Sequence, residues 1–139
     1  MTNNILEETI VPGFYETDAL GHINNTVVPM WFEKARTPIF KIFTPDLDPK
    51  KWELILAKIE VEYLRELDYR ITVSIRTGIQ HVGNSSFLIR QELFQDGKLA
   101  ARGLTTLVRF DHGTKKSYAL TEDLRNELEK YFWPIECGI

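Results

Sequence analysis

The feature that most constrains this chain is a single strongly apolar helical stretch. Between residues 26 and 43, apolar residues recur at spacings of three and four, at Val28, Trp31, Phe32, Ala35, Ile39, Ile42 and Phe43. This spacing predicts a helix whose apolar stripe is wider than a surface helix needs, so we expect it to be deeply packed. Pro38 lacks an N–H and clashes with the preceding turn, which predicts a kink or an end near Arg36, followed by a short extra turn.

The rest of the chain favours strands. The residues before the helix, 7–16, mix β-formers with Pro12-Gly13, which indicates an edge strand or a bulge. After the helix, apolar and polar residues alternate with period two, as in strands, and Asp96-Gly97 is a hairpin signal; the segments are 59–63, 71–76, 87–93 and 99–110. A last helix is predicted over 121–131, with Thr121 as its N-cap.

Consecutive hairpins imply an antiparallel sheet, and the one strong helix can cover only one of its faces. The fold class predicted from this order is α+β, with an antiparallel sheet and one long helix packed on one of its faces. The other face needs a cover, and a second copy of the chain is the natural one. We therefore expect the chain to pair with a second subunit.

Composition bounds the function classes. The chain has 139 residues, 17 Lys and Arg, 20 Asp and Glu, and a formal charge of −3. This size predicts a single domain over 1–139. The charge lacks the positive field of a general nucleic-acid binder. The lone Cys137, the absence of a leader-like start and the absence of an apolar run of 18 residues predict a cytoplasmic protein with no membrane partner.

Metal and covalent chemistry also lack their usual motifs. The three histidines, His22, His81 and His112, are scattered, and neither His-x-x-x-His nor Cys-x-x-Cys occurs. The chain has no Gly-x-Ser-x-Gly, no P-loop and no dinucleotide-binding glycine pattern. We therefore predict no metal and no cofactor.

The densest polar cluster is residues 17–25, which read Thr-Asp-Ala-Leu-Gly-His-Ile-Asn-Asn at the mouth of the apolar helix. Such a cluster is also typical of a plain turn with an Asn cap. Here, however, it is longer than a cap requires, and it carries the carboxylate of Asp18 and the imidazole of His22. Both lie beside a helix N-terminus, whose unpaired N–H groups favour an oxyanion.

This loop resembles the signature of the 4-hydroxybenzoyl-CoA thioesterase family. The family pattern is a tyrosine, an acidic residue, Thr-Asp, two variable positions, Gly-His, an aliphatic residue and Asn-Asn, which matches residues 15–25. Its later Phe-Glu-x-Ala-Arg element matches residues 32–36, and the similarity continues through Ile59-Glu60-Val61-Glu62-Tyr63-Leu64, the turn at 82–87 and the segment 96–103. The resemblance therefore covers nearly the whole chain.

The resemblance implies a hotdog fold, in which an antiparallel sheet wraps a central helix, and dimers or tetramers with active sites at the dimer interface. It implies hydrolysis of acyl-CoA thioesters without a metal or a redox cofactor. Asp18 matches the family's catalytic carboxylate, and the backbone N–H of Asn25 matches its oxyanion donor. The remaining candidates are His22 for catalytic support and five substrate-binding residues, Gly21, Asn24, Gly83, Ser85 and Ser86.

One carboxylate can suffice for this reaction, because a thioester carbonyl is electrophilic and a thiolate leaves readily. Asp18 either attacks to form a mixed anhydride or acts as a general base on water, and the sequence does not choose between these routes. Two other functions stay open. One is hydrolysis of acyl-carrier-protein thioesters, and the other is non-catalytic binding of acyl-CoA. For Glu33 and Arg36, at spacing three, we predict a helical salt bridge.

Overall fold

The computed structural model describes residues 4–133, and it splits the apolar stretch into two helices. Helix α1 spans Val27–Ala35 and helix α2 spans Thr37–Phe43, with Arg36 between them. Pro38 lies in the first turn of α2, where its missing N–H costs no helical hydrogen bond. The predicted interruption near Arg36 is thus confirmed.

Six strands form one antiparallel sheet in the order β1-β3-β4-β5-β2, with β6 paired to β5. The strands are β1 (Leu6–Ile10), β2 (Leu54–Tyr63), β3 (Val73–Val82), β4 (Ser86–Gln95), β5 (Lys98–Asp111) and β6 (Lys116–Ser117). The predicted hairpin at Asp96-Gly97 is confirmed, because both residues have positive φ between β4 and β5.

Three local details refine the prediction. Strand β1 is an edge strand, as expected, but it ends at Ile10, and Phe14–Glu16 forms a 3-10 turn instead of continuing it. Strand β2 pairs with β5 rather than with its sequence neighbour β3. Helix α3 spans Glu122–Glu129 and begins at the predicted cap, where the Leu124 N–H donates to the Thr121 hydroxyl.

Helix α1 packs on the sheet through its large buried side chains, which include Trp31 and Phe32. The ring of Phe32 lies directly over Gly103 of β5, where a Cβ would come within 3.0 Å of the ring. A glycine at this position therefore lets the helix approach the middle of the sheet. A second cluster of buried residues lies beneath α2 and α3 and includes Ile39, Phe87 and Leu128.

The predicted salt bridge between Glu33 and Arg36 is wrong. The Arg36 side chain turns into the protein, where Nη1 donates to Gln91 Oε1 at 3.1 Å and to Thr105 Oγ1 at 3.2 Å. Burial lowers the pKa of Arg36, and the charge of Glu33 opposes this shift. Because the chain is interrupted at Arg36, the side chain can leave the helical surface and reach strands β4 and β5.

The sheet edges are covered to very different extents. Beyond its pairing with β1, strand β3 bonds residues 131–133: the Ile79 N–H donates to the Tyr131 carbonyl and the Trp133 N–H to the Ile79 carbonyl. Strand β2 is ten residues long and exposed along most of its length.

In the described part of the chain, no helix is long and apolar enough to span a membrane.

Candidate active site

The loop at 17–25 is a tight turn built around Asp18. The Asp18 N–H donates to the His22 carbonyl at 2.7 Å, and Gly21 adopts a φ of 84° that suits glycine. Oδ1 of Asp18 accepts from the N–H groups of Leu20 at 2.8 Å and His22 at 3.1 Å. Across residues 4–133, nothing hydrogen-bonds Oδ2 of this exposed carboxylate. One oxygen is therefore held by the loop and the other is available.

Immediately after the loop, Asn24 and Asn25 prepare the start of α1. The Asn24 side-chain oxygen accepts from the N–H and the hydroxyl of Thr26, both at 2.9 Å. Its backbone carbonyl accepts from the Val27 N–H at 3.0 Å. The N–H of Asn25 has no hydrogen-bond acceptor among the described residues, although its neighbours on both sides are bonded. It is a free donor at a helix start.

Asp18 and Asn25 line one cleft of about 690 Å³. His22 and Asn24 also line it, and its opposite wall is the end of β2 and the segment after it, from Tyr63 to Leu67. Four of the eight predicted site residues therefore meet in one place. Gly21 is not part of the lining; it shapes the loop through its backbone.

His22 takes part in the cleft through two contacts. Its Nε2 lies 3.2 Å from Glu66 Oε2. Its backbone forms an isolated bridge with Asp68, which ties the loop at 17–25 to the segment after β2. The side chain of Arg70 hydrogen-bonds the Asp68 carboxylate and holds its pKa at about 2. His22 thus links the two walls of the cleft.

The structure does not bring Gly83, Ser85 and Ser86 to this cleft within one chain. They form the turn between β3 and β4, where the Gly83 N–H donates to the Ser86 carbonyl at 2.7 Å. Ser86 is level with Val108 of β5, which in turn pairs with Ile55 of β2. Tyr63 lies about 26 Å further along β2 at roughly 3.3 Å per residue. The turn is therefore at the other end of the sheet.

The structure also offers no obvious metal centre. Within the described range, no group of three or more His, Cys, Asp or Glu side chains is arranged to hold a metal ion. Cys137 lies outside that range. The polar groups that line the cleft are the carboxylates of Asp18 and Glu66, the imidazole of His22, the guanidinium of Arg65, the amides of Asn24 and Asn25 and the hydroxyl of Tyr63.

Comparison with known proteins decides the family. A family model described as the thioesterase-like superfamily matches residues 12–128. The chain belongs to this superfamily. The match confirms the predicted family, the hotdog fold and the enzyme class, a thioesterase.

Individual relatives are similar to this thioesterase over most of their length. A predicted thioesterase from Bacillus stearothermophilus is 38% identical with a TM-score of 0.93, over 96% of this chain and 100% of that one. A thioesterase from Thermus thermophilus, solved with coenzyme A and Zn, is 28% identical with a TM-score of 0.78, over 88% and 90%. The long-chain acyl-CoA thioesterase FadM of Escherichia coli is 26% identical, over 84% and 91%.

Sequence reasoning missed three residues of this thioesterase's cleft and its support. Glu16 accepts from the Gly13 N–H at 2.8 Å and from the Trp31 indole N–H at 3.0 Å, and so fixes the segment before the loop at 17–25 to α1. Glu66 faces His22. Tyr63, which the sequence placed in a strand and in a segment similar to the family but to which it assigned no role, donates its hydroxyl to the Asn25 carbonyl at 2.6 Å. No local pattern marks contacts between residues so distant in sequence.

Proposed function

We propose that this thioesterase hydrolyses acyl-CoA thioesters, with Asp18 as the reacting carboxylate and the Asn25 N–H as an oxyanion donor. The observation that carries the proposal is that a carboxylate with one unoccupied oxygen and an unpaired helix-start N–H line the same cleft. The substrate class is supported by FadM, named for long-chain acyl-CoA, and by the Thermus relative solved with coenzyme A.

The two oxygens of Asp18 have different parts in this proposal. Oδ1 accepts two loop N–H bonds, so the carboxylate is oriented before substrate arrives. Oδ2 either attacks the thioester carbon or takes a proton from water that attacks it. In the first route the C–S bond breaks, coenzyme A leaves as the thiolate, and water then hydrolyses the mixed anhydride. In the second, hydroxide adds directly and the thiolate leaves.

Both routes place negative charge on the former carbonyl oxygen. A preorganised backbone N–H aimed at that oxygen stabilises the transition state by about 3 kcal/mol. The Asn25 N–H suits this role because no group of the described chain competes for it. His22 supports the reaction by position. Its backbone N–H donates to Oδ1 of Asp18, and its ring nitrogen Nε2 pairs with the Glu66 carboxylate. Gly21 and Asn24 shape the backbone that substrate meets.

A homodimer through strand β2 completes the site in this proposal. The strand is a long exposed edge with apolar side chains, and Leu56 is 52% exposed; such an edge favours pairing with another chain. A twofold antiparallel pairing sets the start of one β2 against the end of the other. The partner's turn, with its Gly83, Ser85 and Ser86, then lies at the end of the sheet where this chain has Asp18.

Sedimentation tests the dimer. Wild-type protein is expected to sediment at twice the chain mass of 16.2 kDa, or at four times that mass if dimers pair. Ile59→Lys places a charge in the middle of the exposed edge and is expected to give monomers with reduced activity. A wild-type monomer that retains full activity would contradict a shared site.

The function is tested by thiol release from a panel of aryl, short, medium and long acyl-CoAs, with matched acyl-carrier-protein thioesters. Asp18→Asn is the residue test, because the amide oxygen can still accept the Leu20 and His22 N–H bonds and preserve the loop. We expect kcat/KM to fall at least about a hundredfold with the melting temperature unchanged. Full activity in this variant removes Asp18 from the mechanism. Wild-type binding without thiol release favours a binding module.

A further inference from the structure

The contact between Tyr63 and Asn25 joins the edge strand to the start of α1. The hydroxyl of Tyr63 donates to the backbone carbonyl of Asn25 at 2.6 Å. Partial burial raises the pKa of Tyr63 above its ordinary value of 10.0, so the hydroxyl keeps its proton at neutral pH. Because its single proton is directed at the Asn25 carbonyl, Tyr63 has none left to donate to a substrate.

Two peptide groups flank the Cα of Asn25, and both are held. In the first, the Asn24 carbonyl accepts from the Val27 N–H, and the Asn25 N–H is free. In the second, the Asn25 carbonyl accepts from Tyr63, and the Thr26 N–H donates to the Asn24 side chain at 2.9 Å. With both planes fixed, the torsions about this Cα are fixed as well, and so is the direction of the free N–H.

We propose that Tyr63 is a positioning residue, which aims the Asn25 N–H at the oxyanion by holding the adjacent peptide. This inference rests on the proposed function. It adds a residue from β2, the strand that also forms the proposed dimer edge. The Asn25 N–H is therefore aligned by Tyr63 of β2 as well as by the hydrogen bonds of Asn24 at the start of α1. Tyr63 acts through Asn25 rather than on substrate.

Tyr63→Phe removes the hydroxyl and keeps the ring. Because a misaligned donor weakens transition-state binding more than substrate binding, we expect kcat to fall about tenfold and KM to stay within about twofold. The matched control is Tyr131→Phe, which removes a hydroxyl from a ring that packs against the buried cluster beneath α2 and α3 and that belongs neither to the cleft nor to the turn at 83–86. It is expected to leave kcat unchanged. Equal kcat values for Tyr63→Phe and wild type overturn the proposal.

A second readout does not depend on activity. The Thr26 nitrogen belongs to the peptide whose carbonyl Tyr63 binds, so its ¹⁵N amide resonance is expected to shift in Tyr63→Phe and not in Tyr131→Phe. An unshifted resonance overturns the holding role. A lower melting temperature with unchanged kcat shows a structural contribution only and also overturns the proposal. If wild-type protein hydrolyses no thioester, the proposed function fails by itself, while the resonance still decides whether Tyr63 holds the peptide.

Discussion

The two ends of helix α1 carry polar clusters of opposite character. At its start, Asp18 and Asn25 are exposed, and each keeps one polar group that no residue in the range 4–133 binds. At the break, Arg36 is 4% exposed and Gln91 is fully buried. There the Gln91 amide donates to the Phe32 carbonyl and to Thr77, and its oxygen accepts from Arg36. The first cluster is open to solvent. The second is buried and closed, since its members bond one another, except that Nε of Arg36 has no partner among the described residues.

The difference separates a site from a structural network. A polar group buried without a partner costs several kcal/mol, so the closed cluster must bond nearly all its groups within the protein. At the open cluster, water can bond the free Asn25 N–H until a ligand replaces it. An exposed backbone donor that no described residue pairs is therefore the informative observation. Substitutions at the closed end should change stability, and those at the open end should change catalysis.

The largest effect on stability is expected for Gln91→Leu. This change deletes three hydrogen bonds and leaves a buried guanidinium with Thr105 as its remaining acceptor, which costs about 4 kcal/mol. Urea unfolding measures the loss, and kcat per folded molecule is expected to stay at the wild-type value. Thr105→Val is the matched control, because it removes one acceptor and costs about 1 kcal/mol.

This assignment of stability to one end of α1 and catalysis to the other is contradicted if Gln91→Leu lowers kcat of the folded protein by as much as Asp18→Asn does. In that event the buried network sets the geometry of the cleft, and the two clusters are coupled through α1. A loss below about 1 kcal/mol would instead show that Leu fills the site well enough to compensate for the missing bonds.

The closed cluster also shows where sequence reasoning reaches its limit. The spacing of Glu33 and Arg36 predicts a surface pair, and nothing local reveals that the chain is interrupted so that Arg36 turns inward. Gln91 and Thr105 lie on strands remote in sequence. The turn at 83–86 is similar: a family pattern marks its residues, but only the strand register shows that they lie at the far end of the sheet in one chain.

The open cluster was more predictable, because its information is local. Asp18, His22, Asn24 and Asn25 are close in sequence, and the helix after them is marked by its apolar period. Their meeting in one cleft follows from the turn and the cap alone. The opposite wall, with Tyr63 and Glu66, needed the pairing of β2 with β5, which the chain order does not give, since β2 passes its neighbour β3 to reach the far edge.

A moderate effect, on both stability and catalysis, is expected for Asn24→Ala. The change removes the oxygen that accepts from the N–H and the hydroxyl of Thr26 just before α1, which costs about 1 kcal/mol. It also frees the Thr26 N–H, loosening the peptide next to the proposed donor, so kcat is expected to fall about tenfold. Asn24→Asp keeps an acceptor oxygen and is expected to retain both. A loss of stability with kcat unchanged would show that the contact between Asn24 and Thr26 does not align the Asn25 N–H.

The smallest effect is expected for Asp68→Asn, and it is confined to acid. The exposed Arg70 side chain holds the pKa of Asp68 at about 2, below the ordinary value of about 3.9 in an unfolded chain. Because the folded pKa is the lower one, the pair stabilises the protein above about pH 4, and this contribution disappears as the pH falls towards 2.

Urea midpoints measured from pH 6 down to pH 2 check this prediction, since wild type should lose more stability than Asp68→Asn between pH 4 and 2. Arg70→Gln removes the other partner and should flatten the curve in the same way. Asp68 directly follows the segment from Tyr63 to Leu67 that forms the opposite wall of the cleft, so acid should loosen the open cluster. The buried network around Gln91 contains no carboxylate and should be unaffected. Identical acid profiles for wild type and both variants would show that the pair contributes nothing and that acid does not distinguish the two ends.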